Sequence, residues 1–133
     1  MDKTEHSTVN PEQIDINVIT TYLPDHSSPE EGHFTFAYTI TISNNSEVAV
    51  QLLRRHWVIT DGDDTVEEVR GDGVVGEQPL IAPAEYFRYT SGTTMRTEVG
   101  FMQGSYTLVA VESGETFDVP IPPFSLHLPN ALH

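Results

Sequence analysis

The chain has 133 residues, no cysteine, 20 acidic against 6 basic side chains, and a formal charge of −14. That length fits one domain with a core of its own, and the missing cysteine excludes disulfides, thiolate zinc sites and cysteine nucleophiles. An overall negative field disfavours nucleic acid and anionic lipid as partners. No run approaches the roughly 18 apolar residues of a membrane span, and the start, Met1 to Ser7, lacks the apolar core of a signal peptide, so a cytoplasmic location without membrane insertion is expected.

Residues 1–13 are polar and aperiodic, which predicts a flexible N-terminal arm ahead of a single domain over 14–133. Ile14, Ile16, Val18, Thr20 and Tyr22 alternate with polar neighbours, the pattern of a half-buried strand. Pro24 ends it, and Asp25–Gly32 reads as a long exposed loop. Phe34, Phe36, Tyr38, Ile40 and Ile42 then alternate with threonine, alanine and serine in the clearest strand of the chain.

Asn44-Asn45-Ser46 reads as a turn. Its glycosylation sequon has no meaning without secretion. Val48–Thr60 is a third strand region, with Trp57 as a core residue. Asp61-Gly62-Asp63-Asp64 has the Asp-Gly of a hairpin turn, and Val66–Val69 returns as a strand. Gly71–Gly76 is a glycine-rich loop. Glu85–Ser91 is a strand, Ser91–Thr94 a turn, and Thr97–Met102 a short extended piece.

Gly104-Ser105-Tyr106-Thr107-Leu108 looks like a tyrosine corner, in which a tyrosine near a strand start hydrogen-bonds to upstream backbone. Tyr106–Val111 and Thr116–Ile121 are the last strands, and Pro120, Pro122 and Pro123 interrupt the ending. Seven or eight strands, short turns and no amphipathic helix predict an all-β immunoglobulin or fibronectin type III-like sandwich. An open barrel is the alternative.

The chemistry-bearing motifs are sparse. Gly71-Asp72-Gly73-Val74-Val75-Gly76 matches G-x-G-x-x-G, which in a dinucleotide fold lets a helix N-terminus approach a pyrophosphate. Here Pro79 and Pro83 follow instead of a helix, so the motif reads either as a tight turn or as a backbone cradle for an anion, with Arg70 beside it. Six histidines (His6, His26, His33, His56, His127, His133) lack the i, i+4 spacing of a helical metal site. Asp61, Asp63, Asp64, Glu67 and Glu68 are dense, but the glycine is misplaced for a calcium loop, so they read as a solvated hairpin tip or a weak divalent site. No G-x-S-x-G elbow is present. No catalytic residue, resident metal or cofactor is implied.

Several segments in order carry a family resemblance. They are Leu53-Arg54-Arg55-His56-Trp57-Val58-Ile59-Thr60-Asp61, then Val69–Ile81 with the glycine motif, then Phe87-Arg88-Tyr89-Thr90-Ser91-Gly92. Gly100-Phe101-Met102-Gln103-Gly104-Ser105-Tyr106 and Phe117–Leu126 complete the series. It closely resembles the ApaG family, also called CorD, from about Ile14 to Leu128. The resemblance implies a fibronectin III-like sandwich and a link to cobalt and magnesium efflux or resistance. Family members are often encoded beside a diadenosine tetraphosphate hydrolase. Similar domains in eukaryotic F-box proteins and in a polymerase-delta-interacting protein imply protein binding.

The resemblance also implies a pyrophosphate-holding loop, which maps here onto Gly71, Gly73 and Gly76; Arg70, beside it in the sequence, is the candidate cation. The expectation is therefore a non-enzymatic module whose partner is another protein. Anion or nucleotide-pyrophosphate binding at the loop is the second reading, and direct weak metal binding at Asp61–Glu68 the third.

Overall fold

The computed structural model describes residues 9–129. Eight strands form two antiparallel layers: β1 (Ile14–Tyr22), β2 (Phe34–Asn44), β3 (Val50–Asp61), β4 (Val66–Asp72), β5 (Leu80–Ile81), β6 (Tyr86–Met95), β7 (Val99–Ala110) and β8 (Thr116–His127). One layer has the order β1-β2-β6. The other has the order β4-β3-β7-β8, with β5 paired to the start of β3. Apart from single 3-10 turns, no helix is present among the described residues, and no helix is long and apolar enough to cross a membrane. The expected all-β sandwich is the observed fold.

Period-2 alternation builds the core. Along β2 every second residue, from Phe34 to Ile42, is buried, so one face of that strand lies wholly between the layers. Trp57 fills the centre, with its ring edge-on to Tyr38, Tyr106 and Phe124 at centroid distances of 5.5, 6.3 and 5.9 Å. In β3 the register shifts between Leu52 and Arg54 against β7. This bulge changes which parity faces inward. Val50 and Leu52 point inward before it, and Arg55, Trp57 and Ile59 after it. An arginine is thereby placed on the inner side.

Several expectations from the sequence change. Ser91–Thr94 is no turn: β6 continues to Met95, the chain bends at residues 96–98, and the extended piece from Val99 runs on through Gly104 as one strand, β7. A register shift at Met102/Gly104 against β8 marks the irregularity that the sequence suggested as a break. The prolines do not end β8, because it is an edge strand, where a missing N–H costs no ladder bond.

Tyr106 makes no tyrosine corner. It is fully buried in β7, and its hydroxyl pairs with that of Tyr89 across the layers. Burial raises both tyrosines above the ordinary phenol range. For Tyr106 the neighbouring Tyr89 adds to the rise.

Within the expected arm, residues 1–8 lie outside the described residues, and Val9–Gln13 are built into the fold. Val9 joins the core, and Asn10 and Gln13 form a reciprocal capping box around the turn Pro11–Gln13. The sequon asparagine Asn44 is also structural. It is fully buried, donates to the carbonyls of Val48 (2.9 Å) and Ile81 (3.0 Å), and accepts from the Ser46 N–H and hydroxyl.

Candidate functional site

The glycine motif is shaped by local packing. Gly71 pairs with Arg55 in the β3–β4 ladder. A side-chain carbon at Gly71 would sit 2.8–2.9 Å from the Arg55 guanidinium, so the arginine lies flat where only hydrogen fits. Arg55 Nη1 then donates to the carbonyls of Asp72 (3.0 Å) and Gly73 (2.8 Å). Gly73 has φ +64°, and a Cβ there would overlap the Glu77 carbonyl. Val74 is a fully buried plug.

Val74 and Glu77 exchange both backbone bonds, at 2.8 and 2.9 Å. The two residues between them, Val75 (φ 41°) and Gly76 (φ 82°), both have positive φ, the pattern of a type I′ turn. The N–H groups of Gly73, Val74 and Glu77 therefore point at Leu53, Glu77 and Val74 carbonyls. Among the described residues only the tip amides of Val75 and Gly76 remain free in this turn. Arg70 turns away from the loop to Glu68, at 3.4 Å.

The acidic hairpin tip is a hydrogen-bonded turn. Asp61 Oδ1 accepts from the amides of Asp63 and Thr65, and Asp63 Oδ1 accepts from Thr65. The side-chain bond between the two carboxyl groups raises Asp61 and lowers Asp63. His56 Nε2 is buried without a hydrogen-bond partner, 3.8 Å from Glu68. His26, His33 and His127 are apart from it, and His6 and His133 lie outside the described residues. No group of three histidine or acidic residues is placed to hold a metal among the described residues.

What the tertiary structure assembles is an open side. Between the edges of β4 and β6 the sandwich has two hollows. One lies under the glycine loop and is walled by Tyr38, Arg55, Trp57, Val74, Tyr89 and Ser91. The other is at the far end of the same strands, among Ile59, Asp61, Asp63, Glu67, Met95 and Arg96. Arg55 escaped the sequence reading as an individual residue. The signal for it is a charged residue between Leu53 and Trp57 in a strand, but the inward direction depends on the bulge.

Comparison with known proteins places this arrangement. The model of the ApaG domain matches residues 24–110. The chain belongs to the ApaG family. It is 58% identical over 121 residues to Protein ApaG of Pseudomonas fluorescens Pf-5, covering 91% of this chain and 95% of that relative. It is 55% identical, with the same coverage, to Protein ApaG of Azotobacter vinelandii.

Among solved structures, the putative ApaA protein from Bordetella pertussis superposes with a TM-score of 0.82 at 47% identity, covering 89% of this chain and 97% of that one. A structural-genomics target reaches a TM-score of 0.87, also at 47% identity, with 92% of each chain covered. The C-terminal domain of wzt, at 9% identity and a TM-score of 0.54 over 90% of this chain and 75% of that one, shares the fold alone. The segments that carry the ApaG resemblance run from the bulged strand β3 through the glycine loop to β8.

Proposed function

We propose that this ApaG-family chain is a non-enzymatic protein-interaction module that receives another protein on its open side. The observation that carries this reading is the pair of free strand edges, on β4 and β6, at the same side of the sandwich with hollows between them. Exposed strand edges are templates for pairing with another chain. The family resemblance adds an indirect role in cobalt and magnesium efflux, carried out through the bound partner. The absence of cysteine and the acidity fit a reducing, cytoplasmic setting and a protein partner rather than nucleic acid.

A photo-crosslinking side chain placed at Ser91 or Glu67, on the open side, is expected to form a discrete protein adduct in cells. One placed at Thr39, on the outer face of the narrow layer, is not. Adducts from neither open-side position would end the reading.

A second reading is favoured by one observation, the two free amides at Val75 and Gly76. They offer successive donors to an anion. Titration with pyrophosphate and with diadenosine tetraphosphate, followed by backbone amide shifts, tests it. Movement of the Val75 and Gly76 signals supports a pyrophosphate site, and unmoved signals reject it.

A further inference from the structure

The two layers differ in width. The layer β1-β2-β6 has three strands; the other has four side by side, β4-β3-β7-β8, with the two-residue β5 added at the start of β3. β1 packs over β8, Tyr38 of β2 meets Trp57 and Phe124, and Tyr89 of β6 meets Tyr106 of β7. Nothing comparable covers β4: among the described residues its extensive packing is with β3 alone. On its inner face Glu67 is exposed and Val69 and Gly71 are half-buried; Glu67 lines one hollow, and Asp72 at the end of β4 lines the other.

The edge facing this vacancy is β6. Asn44 N–H donates to the Glu85 carbonyl at 2.9 Å just before β6 begins, and the register then runs unbroken from Ser43↔Tyr86 to Phe34↔Met95. In an antiparallel ladder, alternate residues turn their N–H and C=O to the partner. Residues 87, 89, 91, 93 and 95 therefore bond β2, and Tyr86, Arg88, Thr90, Gly92 and Thr94 present theirs to the open edge.

This edge runs ten residues with no proline and a single charge, Arg88. The other edges are guarded. β8 carries Pro120, Pro122 and Pro123, β4 carries Glu67, Glu68, Arg70 and Asp72, and β1 leans on β8. Prolines, charges and covering neighbours are the usual protections of a sheet edge.

We infer that β6 accepts an extended segment of a partner protein, which becomes the fourth strand of the narrow layer and covers β4. The inference rests on the protein-interaction reading above and specifies its site and its ligand. Alternate side chains of the added strand point inward. Those level with Thr94 and Met95 enter the hollow where Asp61, Asp63 and Glu67 outnumber Arg96, so they are lysine or arginine. Four residues further along, about 13 Å at strand rise, the inward side chain meets Arg55, Tyr89 and Trp57 and is uncharged. The formal charge of −14 draws a basic segment at long range and opposes a second copy of the same chain.

The test is selection from a displayed library of random nine-residue peptides on the wild-type protein and on Thr90→Pro and Glu67→Lys. The Thr90 N–H faces the open edge, so proline blocks the edge without removing a bond to β2. It gives up only the hydroxyl contact with Thr39. Enriched peptides are expected to carry lysine or arginine at the end level with Thr94 and Met95 and an uncharged residue four positions further along, and to lose at least tenfold in affinity with either substitution. In the wild-type complex, amide exchange is expected to slow at Arg88, Thr90, Gly92 and Thr94.

Peptides that enrich but bind both variants unchanged would overturn the β6 site and leave the interaction-module reading standing. No enrichment at all would overturn the inference, while the crosslinking experiment judges the module reading separately. A wild-type dimer abolished by Thr90→Pro would assign the slot to a second copy and overturn the basic partner. If Thr90→Pro fails to fold, Glu67→Lys and the exchange pattern decide.

Discussion

The two long sides of the sandwich are built on different terms. On one side β1 packs across the layers on β8, Val9, Ile14, Val119, Ile121 and Leu126 are buried, and the chain enters through a capped turn. On the other side β4 and β6 stand apart over two hollows, where polar groups, Tyr89 with its hydroxyl bonded to Tyr106 and the Arg55 guanidinium, lie beside Trp57 and Val74. The first side is closed by apolar area, which is non-directional and needs only rough complementarity. The second is held by a few directional bonds. A surface that receives another chain must keep its pairing groups available, and that is incompatible with burying them in its own core.

Substitutions test this contrast. The largest effect is expected on the closed side. Leu126→Ala should cost about 2–5 kcal/mol in urea unfolding, because the site is sealed and leaves a cavity. The matching change on the open side, Val69→Ala, should cost only about 1 kcal/mol, since that side chain is half solvated. Equal losses would erase the distinction between the sides.

The tyrosine pair gives the next effect. Both hydroxyls titrate above their unfolded value in the folded state, so their stabilisation is complete below about pH 10 and is lost as pH rises toward the folded values. Each tyrosine should steepen the decline by about 1.4 kcal/mol per pH unit above pH 10. Tyr106→Phe should roughly halve that slope in denaturant melts at pH 9 to 11.

Arg55→Gln comes third. Losing the two carbonyl contacts should cost about 2 kcal/mol and speed amide exchange at Gly73, with little change at Ile16 on the closed side. The smallest effect has the opposite sign. Val75 holds positive φ although it is β-branched, and Val75→Asn should stabilise by about 1 kcal/mol, read as a higher urea midpoint. A destabilised Val75→Asn would mean that the Val75 side chain has a packing partner at the turn.

The legible parts of the fold are those where local pattern and burial agree. β2 could be read residue by residue because each threonine, alanine or serine faces out and each large apolar residue faces in. The β6–β7 connection is not legible locally, because Ser91-Gly92-Thr93-Thr94 has turn composition yet lies in a strand paired throughout with β2. Small polar residues suit the exposed face of a sheet as well as a turn. The prolines of β8 misled for a related reason: only topology shows that they lie on an edge. The glycine motif was found, but its three glycines serve an arginine platform, a close carbonyl approach and a turn, relations that involve residues up to sixteen positions away.

The class of fold, the family and the place of the glycine loop were legible in the residues alone. These follow from alternation, turn chemistry and residue order, all of which are local. Only the tertiary structure decided that Arg55 faces inward, that Tyr89 and Tyr106 meet, and that one side of the sandwich lacks a covering strand. Each of these depends on a register shift or on how many strands each layer holds. Such properties arise from pairing between distant segments, and no window of neighbouring residues contains them.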